Sequence, residues 1–229
     1  AIRPVRDKAH LVYSRPYFTY KKSILKAKLE SNVFSFLHVI NPEFRKGDKT
    51  KPNTIERFQA VSKQYTDFKN KYYFKKEDKP CFYIYRQTSN HGIYSGIIAG
   101  ASVDDYQKNK IKKHENTIIS REKLFKKYLD VCNFHAEPVL LTYSRTKKIK
   151  QINEEIVKKR PEYEFTTTDQ KKHELWVVEN IKTIKELTKE FNSINDIYIA
   201  DGHHSAASSS LYHNDNKKNN LSGYFLSLF

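Results

Sequence analysis

The chain has no methionine, only six glycines and only two cysteines in 229 residues. Two cysteines, Cys81 and Cys132, are too few for a disulfide scaffold or a four-thiolate zinc site. They read as reduced, buried thiols of a cytoplasmic protein. No apolar run approaches the ~18 residues that a membrane span needs. The opening Ala1-Ile2-Arg3-Pro4 is not the start of a signal peptide. The missing initiator methionine points to a trimmed or incomplete start. No Gly-rich phosphate loop of the Walker or Rossmann type occurs, and neither does a His-Glu-x-x-His or Cys-x-x-Cys pair. Acidic residues are in deficit: 42 Lys and Arg against 26 Asp and Glu leave a formal charge of +16.

The 14% of aromatic residues is too high for a disordered chain, so a folded core is expected. Lys outnumbers Arg 33 to 9, the usage of an AT-rich genome. Part of the positive charge is therefore codon bias, and nucleic-acid readers lean on Arg. What remains favours anionic ligands, either phosphorylated small molecules or nucleic acid. Periodicity gives mixed α/β (α+β) structure without a clean βαβ repeat. Helices are expected at 21–31, after Asn53 and Glu56, after Ser120, at 146–160, after a Thr183/Glu186 capping box, and after Gly202. Strands are expected at 33–40, 81–87, 93–103, 138–143, 163–167, 173–178, 197–200 and 224–229. Residues 41–51 read as a polar loop. The whole, 1–229, reads as one domain or the N-terminal part of a longer protein, with a soft boundary near 144–150. A C-terminal strand left without a partner would be an aggregation hazard.

Two segments carry chemistry. The first is Asp201-Gly202-His203-His204, where an apolar strand runs into a helix of small residues. Gly202 permits a tight turn, and the amides that follow are unpaired donors at a helix N-terminus, a ready anion site. The two histidines add donors or metal ligands. The plainer alternative is an Asp-capped helix with one surface and one buried histidine. The second segment is Lys112-Lys113-His114-Glu115, in a window from Gln107 to Lys127 with 8 basic and 2 acidic residues. Lys112 and Lys113 could hold phosphate oxygens, and Glu115 could act as a general base. Alternatively it is a solvated basic loop with a charge-compensated Glu. Arg86, at the end of an apolar strand, could reach a carboxylate or phosphate of a substrate.

Seven pieces in order resemble the ten-fifteen family of domains of unknown function, found in bacteria and archaea. They are Ser35-Phe36-Leu37-His38-Val39, Tyr83-Ile84-Tyr85-Arg86-Gln87, Gly96-Ile97-Ile98-Ala99, Asp105-Tyr106, Ile111-Lys112-Lys113-His114-Glu115-Asn116-Thr117, Pro138-Val139-Leu140-Leu141 and Tyr198-Ile199-Ala200-Asp201-Gly202-His203-His204. The resemblance spans nearly the whole chain and implies a protein truncated at the C-terminus. The Asp-Gly-His-His turn also looks like the signature of the ParB and sulfiredoxin superfamily, whose turn and helix N-terminus bind nucleotide phosphates and which includes free L-serine kinases. Ser205 stands where that signature usually carries Arg, and Lys113 where the family often has Arg.

The resemblance implies a mixed sheet with flanking helices and a small-molecule kinase. The phosphoryl donor, a nucleotide or pyrophosphate, would rest on Gly202, His203 and His204. Asp201 would hold Mg²⁺ or orient a histidine. Glu115 would take the proton of a hydroxyl amino acid, and Lys112, Lys113 and His114 would offset transferring charge. His204, with Glu115 and Asp201, is expected to be catalytic, and Arg86 to contact substrate. No membrane partner is expected, and the oligomeric state stays open. Three rivals are a ParB-like nucleic-acid-binding module, a metal-dependent hydrolase using His114, Asp201, His203 and His204, and an inactive fragment. The kinase reading requires the two segments to meet in space.

Overall fold

A computed structural model describes residues 1–44, 46 and 49–229. Part of the expected polar loop, at 45, 47 and 48, lies outside the described residues. The chain divides into two compact units, Ala1–Asp78 with Val131–Asn133, and Lys79–Asp130 with Phe134–Phe229. Residues 144–150 fall inside the second.

In the first unit the chain passes through β1 (Ile2–Pro4), α1 (Ala9–Val12), α2 (Lys22–Ser31), α3 (Leu37–Ile40), α4 (Ile55–Asn70) and β2 (Phe74–Lys76). β1 and β2 pair antiparallel. Helix α4 starts one residue later than Asn53 suggested: Thr54 is the cap, its side chain accepting from the amide of Arg57. Phe58, Val61 and Phe68 form the buried stripe of α4, and Phe68 packs edge-on against Tyr73. The strand expected at 33–40 does not form. The Asn32 side chain accepts from the amide of Phe34, and Ser35 Oγ from that of Leu37. These local bonds turn the backbone into α3, with Leu37 and Val39 fully buried. A short apolar run does not distinguish strand from helix by period.

The second unit is a mixed α/β structure around one large sheet. Its elements are β3 (Phe82–Ser89), β4 (Gly92–Ser102), α5 (Val103–Gln107), β5 (Ile111–Lys112), α6 (Ile119–Cys132), β6 (Val139–Tyr143), α7 (Lys147–Ile156), β7 (Tyr163–Thr166), β8 (Lys172–Val178), α8 (Ile181–Asn192), β9 (Ile197–Asp201), α9 (His203–Asp215) and β10 (Tyr224–Leu228). The last residues of α6 cluster with the first unit. Among the described residues the sheet has the order β5-β9-β6-β10-β4-β3-β8-β7. β3 and β4 form the expected hairpin. β10 pairs with β4 antiparallel and with β6 parallel. The C-terminal strand is therefore an interior strand rather than an exposed edge.

Strand residues of alternating burial meet helix residues on one face. Ile84, Leu141, Ile199 and Phe225 of the sheet join Ile149 of α7, Leu187 of α8 and Ala206 of α9 in a single core. α8 begins before the expected capping box, because Asn180 is the cap and its side chain accepts from the amide of Thr183. α6 begins at Ile119, so Ser120 lies inside it rather than capping it. α7 ends at Ile156 instead of Arg160, and beyond it the Lys159 carbonyl accepts from Trp176 Nε1. α9 packs closely because its buried residues are small. The hydroxyls of Ser208 and Ser209 donate to the carbonyls of His204 and Ser205, one turn back, so they enter the core satisfied.

Candidate active site

β5 and β9 are parallel neighbours, with Ile111 opposite Ile197 and Lys112 opposite Tyr198. Their C-terminal ends therefore lie at the same edge of the sheet. The segment after β5 and the turn after β9 emerge there together, the place where α/β sheets hold ligands. The short β5 itself was invisible to periodicity: two residues do not show a period.

The turn after β9 is a single residue. Gly202 has φ +93° and caps α9 without a side-chain bond. A Cβ at this position would lie 3.2 Å from Val139 Cα on the neighbouring β6. The turn thus needs glycine for its dihedral and for its seat on the strand. Gly202→Ala is expected to cost about 1–2 kcal/mol from the left-handed backbone alone, lowering Tm by roughly 2–8 °C. Thermal unfolding followed by circular dichroism measures this, and an unchanged Tm would mean that the turn relaxes. Asp201, exposed at the strand end, accepts from the Gly202 amide through Oδ1 at 2.8 Å. Beyond it, the first amides of the 13-residue α9 begin the helix with no side-chain cap.

His203 is 4% exposed. Its Nδ1 lies 3.5 Å from Glu115 Oε2, and its ring is packed edge-on by His114 at a centroid distance of 4.5 Å. Its Nε2 is buried with no hydrogen-bond partner among the described residues, and so is Nδ1 of His204. Burial, with help from the neighbouring His114, lowers the pKa of His203; Glu115 and Asp201 pull the other way and only partly offset this. Glu115 itself is 63% exposed at the side chain.

The lysines are engaged differently. Lys112 Nζ pairs with Asp196 at 2.8 Å, and that hydrogen bond raises its pKa. Lys113 Nζ sits 5.1 Å over the ring of Tyr106. Asp196 and Tyr106 escaped the sequence reading as partners, although Asp196 lies directly before the strand that carries the turn. Val139, the seat of Gly202, was read as part of a strand and of the family resemblance, but not as a member of the site.

The structure brings Lys112, Lys113, His114 and Glu115 to the sheet edge that carries Asp201, Gly202, His203 and His204. It does not bring Arg86 there. Arg86 lies on β3, four strand spacings from β9, about 19 Å away. Its guanidinium is bound to Glu174 of β8 by two bonds, at 2.7 and 2.8 Å. Its place is in a pair on the core side of the sheet, opposite Glu174 and over Trp176. Among the described residues no group of three or more His, Cys, Asp or Glu is arranged to hold a metal ion. Among them, too, no helix is long and apolar enough to cross a membrane.

These features define a mixed α/β protein with a polar strand-to-helix turn backed by a carboxylate and a buried histidine. The chain belongs to the family described as Protein of unknown function (DUF1015), whose model matches residues 1–229. Comparison with the curated proteins and with the solved structures gives no match.

Proposed function

We propose that this protein is a small-molecule kinase of ParB/sulfiredoxin-like type, moving a phosphoryl group from a nucleotide or pyrophosphate to free L-serine or a similar hydroxyl compound. The observation that carries this reading is the meeting of Glu115 with the Gly202 turn, through the 3.5 Å approach to His203. A carboxylate beside unpaired helix N-terminal amides supplies both things that phosphoryl transfer needs, a proton acceptor and an anion cradle.

The donor phosphates rest on the amides after Gly202 and on His204. Glu115 takes the proton from the acceptor hydroxyl as its oxygen bonds to phosphorus. The bond from phosphorus to the donor's bridging oxygen breaks, and the leaving nucleotide or phosphate keeps that electron pair. Lys112, Lys113 and His114 offset charge on the transferring group. Mg²⁺ fits this site as a substrate-borne ion: it needs only one or two carboxylates besides phosphate oxygens, and Asp201 is exposed at the rim. Bound there, it would neutralise charge on the donor oxygens. Ser205 supplies no guanidinium, so the lysines carry the electrostatic burden. A metal-dependent hydrolase built on the histidines gains no support, since the described residues present no three-ligand cluster.

The test is phosphorus NMR of the protein with Mg²⁺ and free L-serine, adding ATP, ADP or pyrophosphate in turn. A phosphoserine signal growing with one donor is expected, and it names that donor. Absence of signal with every donor from folded protein overturns the reading. In that case, binding to DNA that weakens steeply with salt would move the assignment to a nucleic-acid module, for which the charge of +16 speaks.

A further inference from the structure

His203 was expected from its sequence position to grip donor phosphates together with His204. Its surroundings do not suit that task. The ring is buried, closed on one side by the edge-on ring of His114, and only 4% of the residue reaches solvent. A ligand of phosphate size would have to displace this packing to touch it. Nδ1 lies 3.5 Å from Oε2 of Glu115. Nε2, at the opposite side of the ring, is buried without a hydrogen-bond partner among the described residues.

These contacts also assign the proton. A histidine ring carries an N–H on Nδ1, on Nε2 or on both. With the proton on Nε2, a bare Nδ1 lone pair would face a carboxylate, and a buried N–H would have no acceptor. With a proton on Nδ1, the N–H has the Glu115 carboxylate within 3.5 Å, and only the loss of an unpaired acceptor at Nε2 remains. Bonds of this kind are commonly long without substrate and tighten when it binds. Glu115 is itself largely exposed on the segment after β5, so without a fixed donor its carboxylate is free to rotate. A one-ångström error in the position of a base costs up to about 10²-fold in rate.

We propose that His203 is a positioning residue: its Nδ1–H holds the Glu115 carboxylate in the orientation needed to receive the acceptor proton, and it does not bind the donor phosphates. The inference rests on the assignment of Glu115 as the base. It also predicts a ring tautomer that exists whether or not the reaction is the one proposed above.

Two measurements test it. The first is nitrogen NMR of the histidine ring in the whole chain at neutral pH, without any substrate. The expected signature is a proton on Nδ1 of His203, and in Glu115→Gln the Nδ1–H resonance shifts while the resonances of His204 and His213 stay in place. A proton on Nε2, or a resonance indifferent to Glu115→Gln, overturns the proposal. The second compares steady-state constants for His203→Asn and His203→Ala, using the donor that gives turnover. Asn places an amide N–H close to where Nδ1–H lies; Ala removes it. Ala is expected to lower kcat at least tenfold with the donor KM within about twofold, and Asn to recover most of that loss. A rise in donor KM with kcat preserved would make His203 a phosphate ligand after all. Equal losses in Asn and Ala would mean that the ring only fills space. Circular dichroism melts of both variants show whether the fold is kept, and the ring spectrum of the unmutated chain decides the matter if it is not. A chain with the Nδ1 signature but no turnover with any donor would retain the pairing and lose the kinase assignment, so the two failures are distinct.

Discussion

Glu115→Gln is expected to lower phosphotransfer to L-serine by about 10²–10⁴-fold, the usual worth of a positioned general base. The amide is the same size but does not accept the hydroxyl proton. Because the Glu115 side chain is 63% exposed, the change should leave stability within about 0.5 kcal/mol. Turnover followed by phosphorus NMR, beside a thermal melt, separates the two quantities. A variant that keeps wild-type turnover removes Glu115 from the mechanism. A variant that loses turnover along with its melt shows a structural role for the residue instead.

The largest stability effect is expected at a distance from that edge, for Arg86→Ala. Glu174 has a side chain only 5% exposed and is gripped by Arg86 through two bonds. Removing the guanidinium leaves a buried carboxylate short of its main partner, a loss of about 3–5 kcal/mol in buried pairs. Arg86 is a quarter exposed, and Lys172 stays at 3.3 Å from Glu174. Both reduce the expected cost, to roughly 2–3 kcal/mol. That corresponds to a Tm lower by about 4–12 °C, measurable in a denaturant or thermal melt. The pH dependence follows from the same contact. Arg86, first among its neighbours, holds the Glu174 carboxyl below the usual range. The stability from this shift is present above the unfolded-state pKa and fades as pH falls through the lower folded one. Arg86→Ala should therefore flatten the acid limb of the stability curve. An unchanged melt at neutral pH would show that Lys172 alone suffices. A loss confined to the KM of an acceptor substrate would return Arg86 to the role its sequence suggested.

The strand–turn–helix at 197–215 was legible because an alternating strand, a Gly and a run of small residues each signal a different physical need. The β3–β4 hairpin and the strands at 139–143 and 163–178 were legible for the same reason, since period-two burial repeats over enough residues. The elements that failed were short or locally capped. At 33–40, side chains of Asn32 and Ser35 bond the backbone and override an apolar run. At 180, an asparagine took the cap that Thr183 and Glu186 seemed to offer. Pairing across the sheet left no trace in composition: nothing at residues 82–89 announces that Arg86 faces Glu174 instead of a ligand. The same holds for the site. Residue types gave its members, but only the parallel pairing of β5 with β9 explains why Glu115 meets His203.

The place of β10 has a consequence for how the molecule is made. β10 follows every other strand in the chain, yet it lies between β4 and β6 in the middle of the sheet. Until residues 224–228 leave the ribosome, β4 and β6 have no neighbour to join them, and each presents a row of unpaired backbone groups. Among the described residues, the backbone hydrogen bonds that join the two halves of the sheet, β5-β9-β6 on one side and β4-β3-β8-β7 on the other, run through that late strand. Completion of the second unit's sheet is thus governed by pairing over long stretches of sequence and slow for that reason. In the interval, the nascent chain carries two adhesive edges that chaperones must shield.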